Sequence, residues 1–340
     1  MNVRMWWKAL SIIPQISKEE WDELDVIAKW LIMTRSAVTT VSIFSCVFAG
    51  LFAWRDGSFE FLPWLIVTLG LFIAHGTNNI LNDYTDYSRG LDVDNYFRAI
   101  YGPHPLVHGF HEKKTQLRYF VVSGVLAVLS GVYAYYYTGF DANILILMGI
   151  GAFFLLFYTY PLKYFALGEL SIFFIWGPVM IGGVYYVLTR TVNMDVMLTS
   201  VAVGLSVMSI NLGKHIDKLE DDKKRKVYTL PVVIGQTLAR YLDILALVAV
   251  YGIILYLIFA NRFFTPVMLI VFFAAKLLMY ALAVLAKPRP EGPPEGYEGW
   301  PIWFSGFTFF HNRRFTMLFM LGVLIDTILR VYLPDFWPPL

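Results

Sequence analysis

The sequence predicts an all-α polytopic membrane protein, built as a bundle of nine transmembrane helices. Hydrophobic residues make up 58% of the 340 residues and charged residues only 15%, whereas a soluble domain has about 45–50% apolar and about 25% charged residues. The apolar residues fall into runs of about 20, the length that crosses a bilayer. The basic residues are concentrated in every second connection. This composition excludes a soluble enzyme, a disordered chain and a nucleic-acid-binding module.

Nine apolar runs are long enough to cross a membrane. They lie at 30–54, 61–82, 119–139, 142–160, 164–189, 196–216, 238–260, 264–286 and 314–334. We divide the chain into an N-terminal segment, 1–28, and a nine-helix domain, 29–340. The N-terminal segment carries Trp6, Trp7 and Trp21, and is predicted to be an amphipathic segment lying on the membrane interface.

The basic residues predict the orientation of the bundle. Four of them lie at one set of span ends, namely Arg55, Arg190, Arg262 and Arg330. Apart from Lys276 in the eighth span, the others lie in the N-terminal segment, in connections after even-numbered spans, or at the span ends next to them. By the positive-inside rule the N-terminus is cytoplasmic and the C-terminus is outside. The Pro- and Gly-rich stretch 287–313 is predicted to be an irregular cytoplasmic loop, and the membrane a prokaryotic plasma membrane.

The second span ends in a group of amide and carboxylate side chains. This group comprises Asn78, Asn79, Asn82, Asp83 and Asp86, and Asp92 follows it. Several members are three or four positions apart, so on a helix they share one face. Carboxylates so close together repel each other unless a cation binds, and hard oxygen ligands suit Mg²⁺. We therefore expect a magnesium site here.

The sixth span ends in a second acidic group. Lys214, Asp217 and Asp221 are spaced so that they share a helix face, which predicts a second Mg²⁺ with the lysine near a phosphate. Two acidic groups at the same membrane face indicate a substrate with a diphosphate head and an apolar tail. Two metal ions stabilise a departing diphosphate, and aromatic rings stabilise the carbocation that an allylic diphosphate would leave.

At this point the chain resembles the UbiA superfamily of intramembrane prenyltransferases, over essentially all of the sequence after residue 28. The first family motif matches Asn82-Asp83-Tyr84-Thr85-Asp86 followed by Gly90-Leu91-Asp92. The residues of this motif are similar to those of the menaquinone branch of the family, which prenylates 1,4-dihydroxy-2-naphthoate. The stretch Leu167-Gly168-Glu169-Leu170 is similar to the same branch. The second family motif matches Asp217 and Asp221.

The resemblance implies roles for individual residues. The implied metal ligands are Asn82, Asp83, Asp86, Asp217 and Asp221. The implied diphosphate-binding residues are Arg35, Asn78, Asn79, Lys214 and Lys163. The residues expected to act in catalysis are Asp86, Asp217, Lys163 and Tyr158. The residues assigned to the acceptor or to a cap over the site are Asp92, His104, His108 and Glu169.

The chain departs from the family in two cytoplasmic loops. The family often has Arg-Pro-Leu-x-Ser-Gly after the first motif, where this chain has His104-Pro105-Leu106-Val107-His108-Gly109. The usual Gly-Lys before Thr229 is replaced by Lys226-Val227-Tyr228. Neither change removes a predicted metal ligand, but both leave the identity of the acceptor undecided.

The preferred hypothesis is Mg²⁺-dependent transfer of a polyprenyl group from polyprenyl diphosphate to a small aromatic acceptor, with 1,4-dihydroxy-2-naphthoate preferred. The alternatives within the class are hydroxybenzoate, homogentisate, a lipid glycerol phosphate, a sugar phosphate and a tetrapyrrole. A cation transporter is the remote alternative, because intramembrane acids also mark ion paths. Lys276 and Asp326 lie within spans eight and nine, and the sequence leaves open whether they pair.

Overall fold

The computed structural model describes residues 1–92 and 102–338, and the regular elements within these ranges are all helical. Contacts divide the chain into two compact units. Unit 1 consists of Met1–Phe44 and Phe61–Pro161, and unit 2 of Ser45–Glu60 and Leu162–Leu340. The two units are described separately below.

The helices of unit 1 are α1 (Val3–Ser11), α2 (Lys18–Asp22), α3 (Val26–Met33), the first part of α4 (Ser36–Arg55), α5 (Phe61–Ser88), α6 (Lys113–Tyr137) and α7 (Ala142–Phe157). The N-terminal segment is folded into this unit. Asp25 caps α3 by accepting the Ala28 N–H at 2.8 Å, and it also accepts the indole N–H of Trp6 at 3.0 Å. Trp21 is buried in the core of the unit. The interfacial role predicted for this segment stays a prediction.

The helices of unit 2 are the end of α4, a short 3₁₀ turn (Leu162–Tyr164), α8 (Gly168–Phe174), a π-helical stretch (Ile175–Gly182), α9 (Gly183–Thr189), α10 (Met194–Asp217), α11 (Leu219–Lys224), α12 (Leu230–Ile234), α13 (Gln236–Leu255) with a π-helical end (Tyr256–Ala260), a 3₁₀ stretch (Pro266–Ala274), α14 (Ala275–Leu285), α15 (Phe304–Tyr332) and a 3₁₀ turn (Pro334–Phe336). Leu212, Leu247 and Phe304 are fully buried in its core.

Eight helices of the described chain are long and apolar enough to cross a membrane. The segment predicted as the fourth span forms Ala142–Phe157, an apolar helix of 16 residues. The all-helical architecture is thus confirmed. The count of nine spans and the orientation of the termini stay predictions.

Two predicted boundaries differ from the structure. The first span is interrupted at Arg35, which has a left-handed φ of 55°, because Thr34 bonds to Leu31 O at 3.1 Å and to the Ser36 hydroxyl at 2.7 Å. The loop predicted over 287–313 was wrong for its last ten residues, since α15 begins at Phe304. Polar residues in its first turns hid this start from a search for apolar runs.

Asp326 in α15 has partners other than the lysine considered above. Its Oδ1 accepts the Thr265 N–H at 2.6 Å, and its Oδ2 lies 4.0 Å from Nη1 of Arg55. Lys276 places its ammonium 6.0 Å from the centre of the Tyr280 ring.

Two glycines allow α10 to pack closely against the helix that contains α8 and the π-helical stretch. A Cβ added at Gly204 would lie 2.5 Å from Phe173 O, and one added at Gly177 would lie 2.4 Å from Ser200 O. These are backbone atoms, so the helices would have to move apart to accept a methyl group.

We expect Gly204→Ala to destabilise the protein by about 1–3 kcal/mol, the usual cost of overpacking a tight contact. The measurement is the unfolding temperature of purified protein in detergent. Gly252→Ala is the matched control, because a Cβ at that helical position meets nothing within 4 Å. Equal unfolding temperatures for the two variants would contradict the prediction.

Candidate active site

The end of α5 is held in place by its asparagine side chains. Asn78 donates from Nδ2 to Leu155 O at 2.8 Å, and Asn79 donates to Thr34 O at 2.7 Å. Both acceptors are backbone carbonyls on neighbouring segments of unit 1. These contacts fix the helix that carries the first acidic motif, by which we mean Asn82, Asp83 and Asp86.

Asn82 and Asp86 are one helical turn apart on α5. The amide nitrogen of Asn82 donates to the hydroxyl of Thr159 at 3.1 Å, which leaves its carbonyl oxygen as the side-chain atom suited to a cation. Asp86 is buried, with 6% of its surface exposed. A carbonyl and a carboxylate oxygen are the ligand types that Mg²⁺ prefers, so this donor set fits the predicted metal.

Asp83, the remaining member of the first acidic motif, pairs with an arginine. Nη2 of Arg35 lies 3.4 Å from Asp83 Oδ1, with side chains 16% and 1% exposed. The break between α3 and α4 at Arg35 is what places this side chain in unit 1 beside the motif. The structure therefore places Arg35 next to the acidic group, and its predicted binding to diphosphate stays a prediction.

Asp83 also belongs to a buried group with Asp92 and His104. One ligand atom from each of the three residues lies within 4.8 Å of the others, so the group could hold a metal ion. His104 Nε2 lies 3.0 Å from Asp92 Oδ2. The sequence placed His104 and Asp92 in a cap over the site, and the structure places them against the first acidic motif itself.

The two histidines that replace the family's arginine and serine hold their own loop together. His104 Nδ1 accepts the Val107 N–H at 3.4 Å, and His108 Nδ1 accepts the His104 N–H at 2.9 Å. The ring of His108 lies against Phe110, with centroids 5.6 Å apart. These contacts fix the shape of the loop that follows the first acidic motif.

In unit 2 the second acidic motif, Asp217 and Asp221, has two different environments. Asp217 is buried and accepts hydrogen bonds from Trp303 N, Phe304 N, Ser305 N and the Ser305 hydroxyl, at 2.9–3.0 Å. The Asp221 side chain is 36% exposed, and one oxygen lies 3.5 Å from Nε of Arg225. Of the two carboxylates, Asp221 is the one whose oxygens remain accessible.

Glu169 is buried in a pair with a histidine of α10. Its Oε1 lies 2.6 Å from Nδ1 of His215, and the two side chains are 0% and 4% exposed. Its Oε2 is buried with no hydrogen-bond partner among the described residues. Glu169 therefore links α8 to α10 inside unit 2, and the acceptor role expected from the sequence stays a prediction.

Three further predicted residues occupy helix ends. Tyr158 is the half-buried residue that follows α7. Lys163 lies in the 3₁₀ turn Leu162–Tyr164, with its ammonium 5.9 Å from the Tyr164 ring centre. Lys214 is partly buried in the last turn of α10. Their predicted roles stay predictions.

The sequence analysis missed the partners of the buried acids. His215, the partner of Glu169, stands between Lys214 and Asp217. Arg289, whose Nε lies 3.4 Å from Asp217 Oδ1, is in the Pro-rich stretch that was expected to be irregular. The signals were a histidine two positions before the second acidic motif and an arginine between two prolines. Neither pattern is specific, because both contacts are made by residues distant in the chain.

His111 and Tyr297 lie outside the membrane-spanning segments and have shifted pKa values. Burial lowers the pKa of His111, whose Nε2 lies 2.7 Å from Gln116 Oε1. Burial raises the pKa of the Tyr297 phenol, and the negative charge of Asp217 raises it further. Tyr297 therefore stays protonated and donates its hydroxyl hydrogen to Ile302 O.

Apolar helices of membrane-spanning length, with amide and carboxylate groups at their ends, define an integral membrane protein with candidate cation-binding residues. The model of the UbiA prenyltransferase family matches residues 43–312. The chain belongs to this family, which confirms the resemblance drawn from its motifs.

Relatives of the chain carry names of different enzymes. The chain is 31% identical over 178 residues to 1,4-dihydroxy-2-naphthoate octaprenyltransferase of Bacillus subtilis, covering 52% of this chain and 55% of that one. It is 28% identical over 224 residues to digeranylgeranylglyceryl phosphate synthase of Methanosphaera stadtmanae, covering 65% and 76%. For the Bacillus protein and for UbiA prenyltransferase domain-containing protein 1 of zebrafish, the match spans 55% and 61% of the relative's length.

Solved structures share the fold. A UbiA homologue from Aeropyrum pernix K1 superposes with a TM-score of 0.62 at 15% identity, covering 84% of this chain and 97% of that chain. A homologue from Archaeoglobus fulgidus, bound to GPP and Mg²⁺, gives a TM-score of 0.57 at 13% identity, covering 87% and 99%. At these identities the likeness establishes the fold alone.

Proposed function

We propose that the protein is a Mg²⁺-dependent prenyltransferase, which transfers a polyprenyl group from polyprenyl diphosphate to an aromatic acceptor. The observation that carries the proposal is the pair Asn82 and Asp86, whose hard oxygen atoms lie one turn apart at the end of an apolar helix. Relatives in the same family are named for prenyl transfer, and an archaeal homologue binds GPP with Mg²⁺.

In this proposal Asn82 and Asp86 would hold one magnesium ion in unit 1, and Asp221 would contribute to a second in unit 2. When bound, the metal supplies positive charge that stabilises the departing diphosphate. Arg35 adds a fixed cation beside the first acidic motif, because its pairing with Asp83 holds the side chain in place. An electron-rich ring carbon of the acceptor would then bond to the allylic carbon, whose bond to the diphosphate oxygen breaks. The ring would lose a proton, or carbon dioxide where the attacked carbon carries the carboxylate of dihydroxynaphthoate. No nucleophilic residue of the protein is required.

We infer 1,4-dihydroxy-2-naphthoate as the acceptor, which would place the reaction in menaquinone biosynthesis. The Bacillus relative is named for this acceptor, and so is a 23% identical relative from Escherichia coli. The Methanosphaera relative is named as a digeranylgeranylglyceryl phosphate synthase, which makes a glyceryl phosphate lipid the main competing acceptor. The His104–His108 loop lies against the first acidic motif, so its departures from the family pattern bear on this choice.

We further propose that the protein lies in a prokaryotic plasma membrane with the acidic motifs facing the cytoplasm. The support is the distribution of Lys and Arg, which favours cytoplasmic ends for α5 and α10. Both substrate tail and product would then stay in the bilayer, while the charged diphosphate leaves on the cytoplasmic side.

The test is prenyl transfer by purified protein in liposomes. Radiolabelled geranylgeranyl diphosphate or a longer homologue is supplied with Mg²⁺ and either dihydroxynaphthoate or geranylgeranylglyceryl phosphate. We expect a labelled prenylated naphthalene product that disappears when EDTA removes the metal.

Each outcome decides one part of the proposal. Product with the glyceryl phosphate acceptor alone would keep the enzyme class and reject the naphthoate assignment. An absence of diphosphate release with every acceptor, from protein that unfolds cooperatively, would reject the enzyme class.

A further inference from the structure

The last membrane-length helix, α15, begins against the carboxylate of Asp217. Asp217 Oδ2 accepts the N–H groups of Trp303 and Ser305 and the Ser305 hydroxyl, and Oδ1 accepts the Phe304 N–H, at 2.9–3.0 Å. The first N–H groups of a helix have no partner within the helix, and negative charge is favourable at that end. The Asp217 side chain therefore caps the N-terminus of α15, although Asp217 lies on another helix.

The backbone of α10 is shaped to allow this contact. A Cβ added at Gly213, one turn before Asp217, would lie 3.0 Å from Ser305 N and 3.1 Å from Phe304 C. Any side chain at this position would push the start of α15 away from the carboxylate. The glycine is a second feature, independent of the hydrogen bonds, that fits the same contact.

Arg289 is held at the same carboxylate. Its Nε lies 3.4 Å from Asp217 Oδ1, and its Nη2 donates to Pro301 O at 2.6 Å. Its guanidinium carbon lies 4.1 Å from the centre of the Trp300 ring. Contacts to a carboxylate, a carbonyl and a ring face fix the orientation of the guanidinium group. A planar fork that is already oriented loses little freedom when it binds phosphate oxygens in two-point fashion.

These contacts indicate different functions for the two carboxylates of the second acidic motif. A metal ion at Asp217 would have to displace N–H and O–H donors and would meet the positive charge of Arg289. The Asp221 side chain is 36% exposed, and its charged contact is Arg225, whose side chain is 25% exposed. Ion pairs that water reaches are weak, so a metal ion could displace this arginine at little cost.

We propose that Asp217 is a positioning residue, which holds the start of α15 and Arg289, and that Arg289 binds the diphosphate end of the prenyl donor. This deepens the prenyltransferase function proposed above and rests on it. It reassigns Asp217, for which the family resemblance implies metal binding, and it adds a residue from the connection between α14 and α15.

The positioning role is tested without turnover. Unfolding temperatures are measured in detergent, without Mg²⁺ or substrate, for Asp217→Asn, Ser305→Ala and Asp221→Asn. We expect a fall of several degrees for Asp217→Asn, a smaller fall for Ser305→Ala, and no change for Asp221→Asn. If Asp217→Asn yields no folded protein, Ser305→Ala still reports on the cap, because it removes one donor and leaves the carboxylate.

The binding role is tested with Arg289→Ala, with Lys287→Ala as the control cation on the same connection. We expect the KM for the prenyl diphosphate to rise about tenfold or more, the scale of a lost hydrogen bond to a charged group, at an unchanged Mg²⁺ requirement. The rise in unfolding temperature that Mg²⁺ with inorganic diphosphate produces should shrink in the same variant. Lys287→Ala should match the native protein in both measurements.

Specific results would overturn the role proposed for Asp217 or the role proposed for Arg289. Asp217 is a metal ligand if Asp217→Asn keeps the native unfolding temperature and needs more Mg²⁺ for activity. Arg289 does not bind diphosphate if Arg289→Ala keeps the native KM and the native stabilisation by Mg²⁺ and inorganic diphosphate. If the native protein consumes no prenyl diphosphate, the proposed function fails, while the unfolding measurements still decide the role of Asp217.

Discussion

Asp86→Asn is expected to lower prenyl transfer at least about 100-fold. Replacing a group that only supports a metal ligand typically costs 10–100-fold in affinity or activity, so the loss of a ligand charge should cost at least as much. Asn keeps the size of the side chain, and one oxygen, while it removes the negative charge that holds the cation. The measurement is the initial rate in liposomes across a Mg²⁺ titration.

The Mg²⁺ titration separates a metal role from a structural one. A lost ligand should raise the Mg²⁺ concentration required for half-maximal rate, while the unfolding temperature without metal stays close to the native value. Asp141→Asn is the matched control in the same unit, because Asp141 caps α7 by accepting the Asn143 N–H at 2.9 Å, and asparagine caps equally well. A variant Asp86→Asn with the native rate and Mg²⁺ dependence would remove the first acidic motif from the proposed mechanism.

The first acidic motif could be predicted from sequence because its geometry is local. Asn82 and Asp86 are four positions apart on one helix, so their shared face follows from helical periodicity. The apolar helices could be predicted for the same reason, since length and composition decide which runs cross a bilayer. The 16-residue helix Ala142–Phe157 shows the limit of this argument, because the polar end of the fourth run is not part of the regular helix.

The remaining features depend on contacts between residues distant in the chain. The cap on α15 joins positions 86–88 residues apart, so no local pattern marks Phe304 as the start of a helix. The turn at Arg35 is equally hidden, because a left-handed φ at an arginine is set by its surroundings rather than by propensity. The same holds for the partners of the buried acids, which no motif spacing identifies.

Breaking the Glu169–His215 pair is expected to have the largest effect on stability. His215→Leu would leave a carboxyl group fully inside unit 2 without the imidazole that lies 2.6 Å from it, and its other oxygen has no hydrogen-bond partner among the described residues. Leaving a buried hydrogen-bonding group without its partner costs about 1–3 kcal/mol, and more when that group is charged. We therefore expect His215→Leu to unfold at a markedly lower temperature than the native protein in detergent.

The double variant Glu169→Leu/His215→Leu distinguishes the pair from simple packing. Replacing both partners by apolar residues of similar volume is often neutral for stability, so the double variant should be more stable than His215→Leu alone. A double-mutant cycle with Glu169→Leu then gives the coupling free energy of the two side chains. If the two single losses simply add, the contact between Glu169 and His215 contributes nothing specific, and each residue matters only through its own packing against the helices of unit 2.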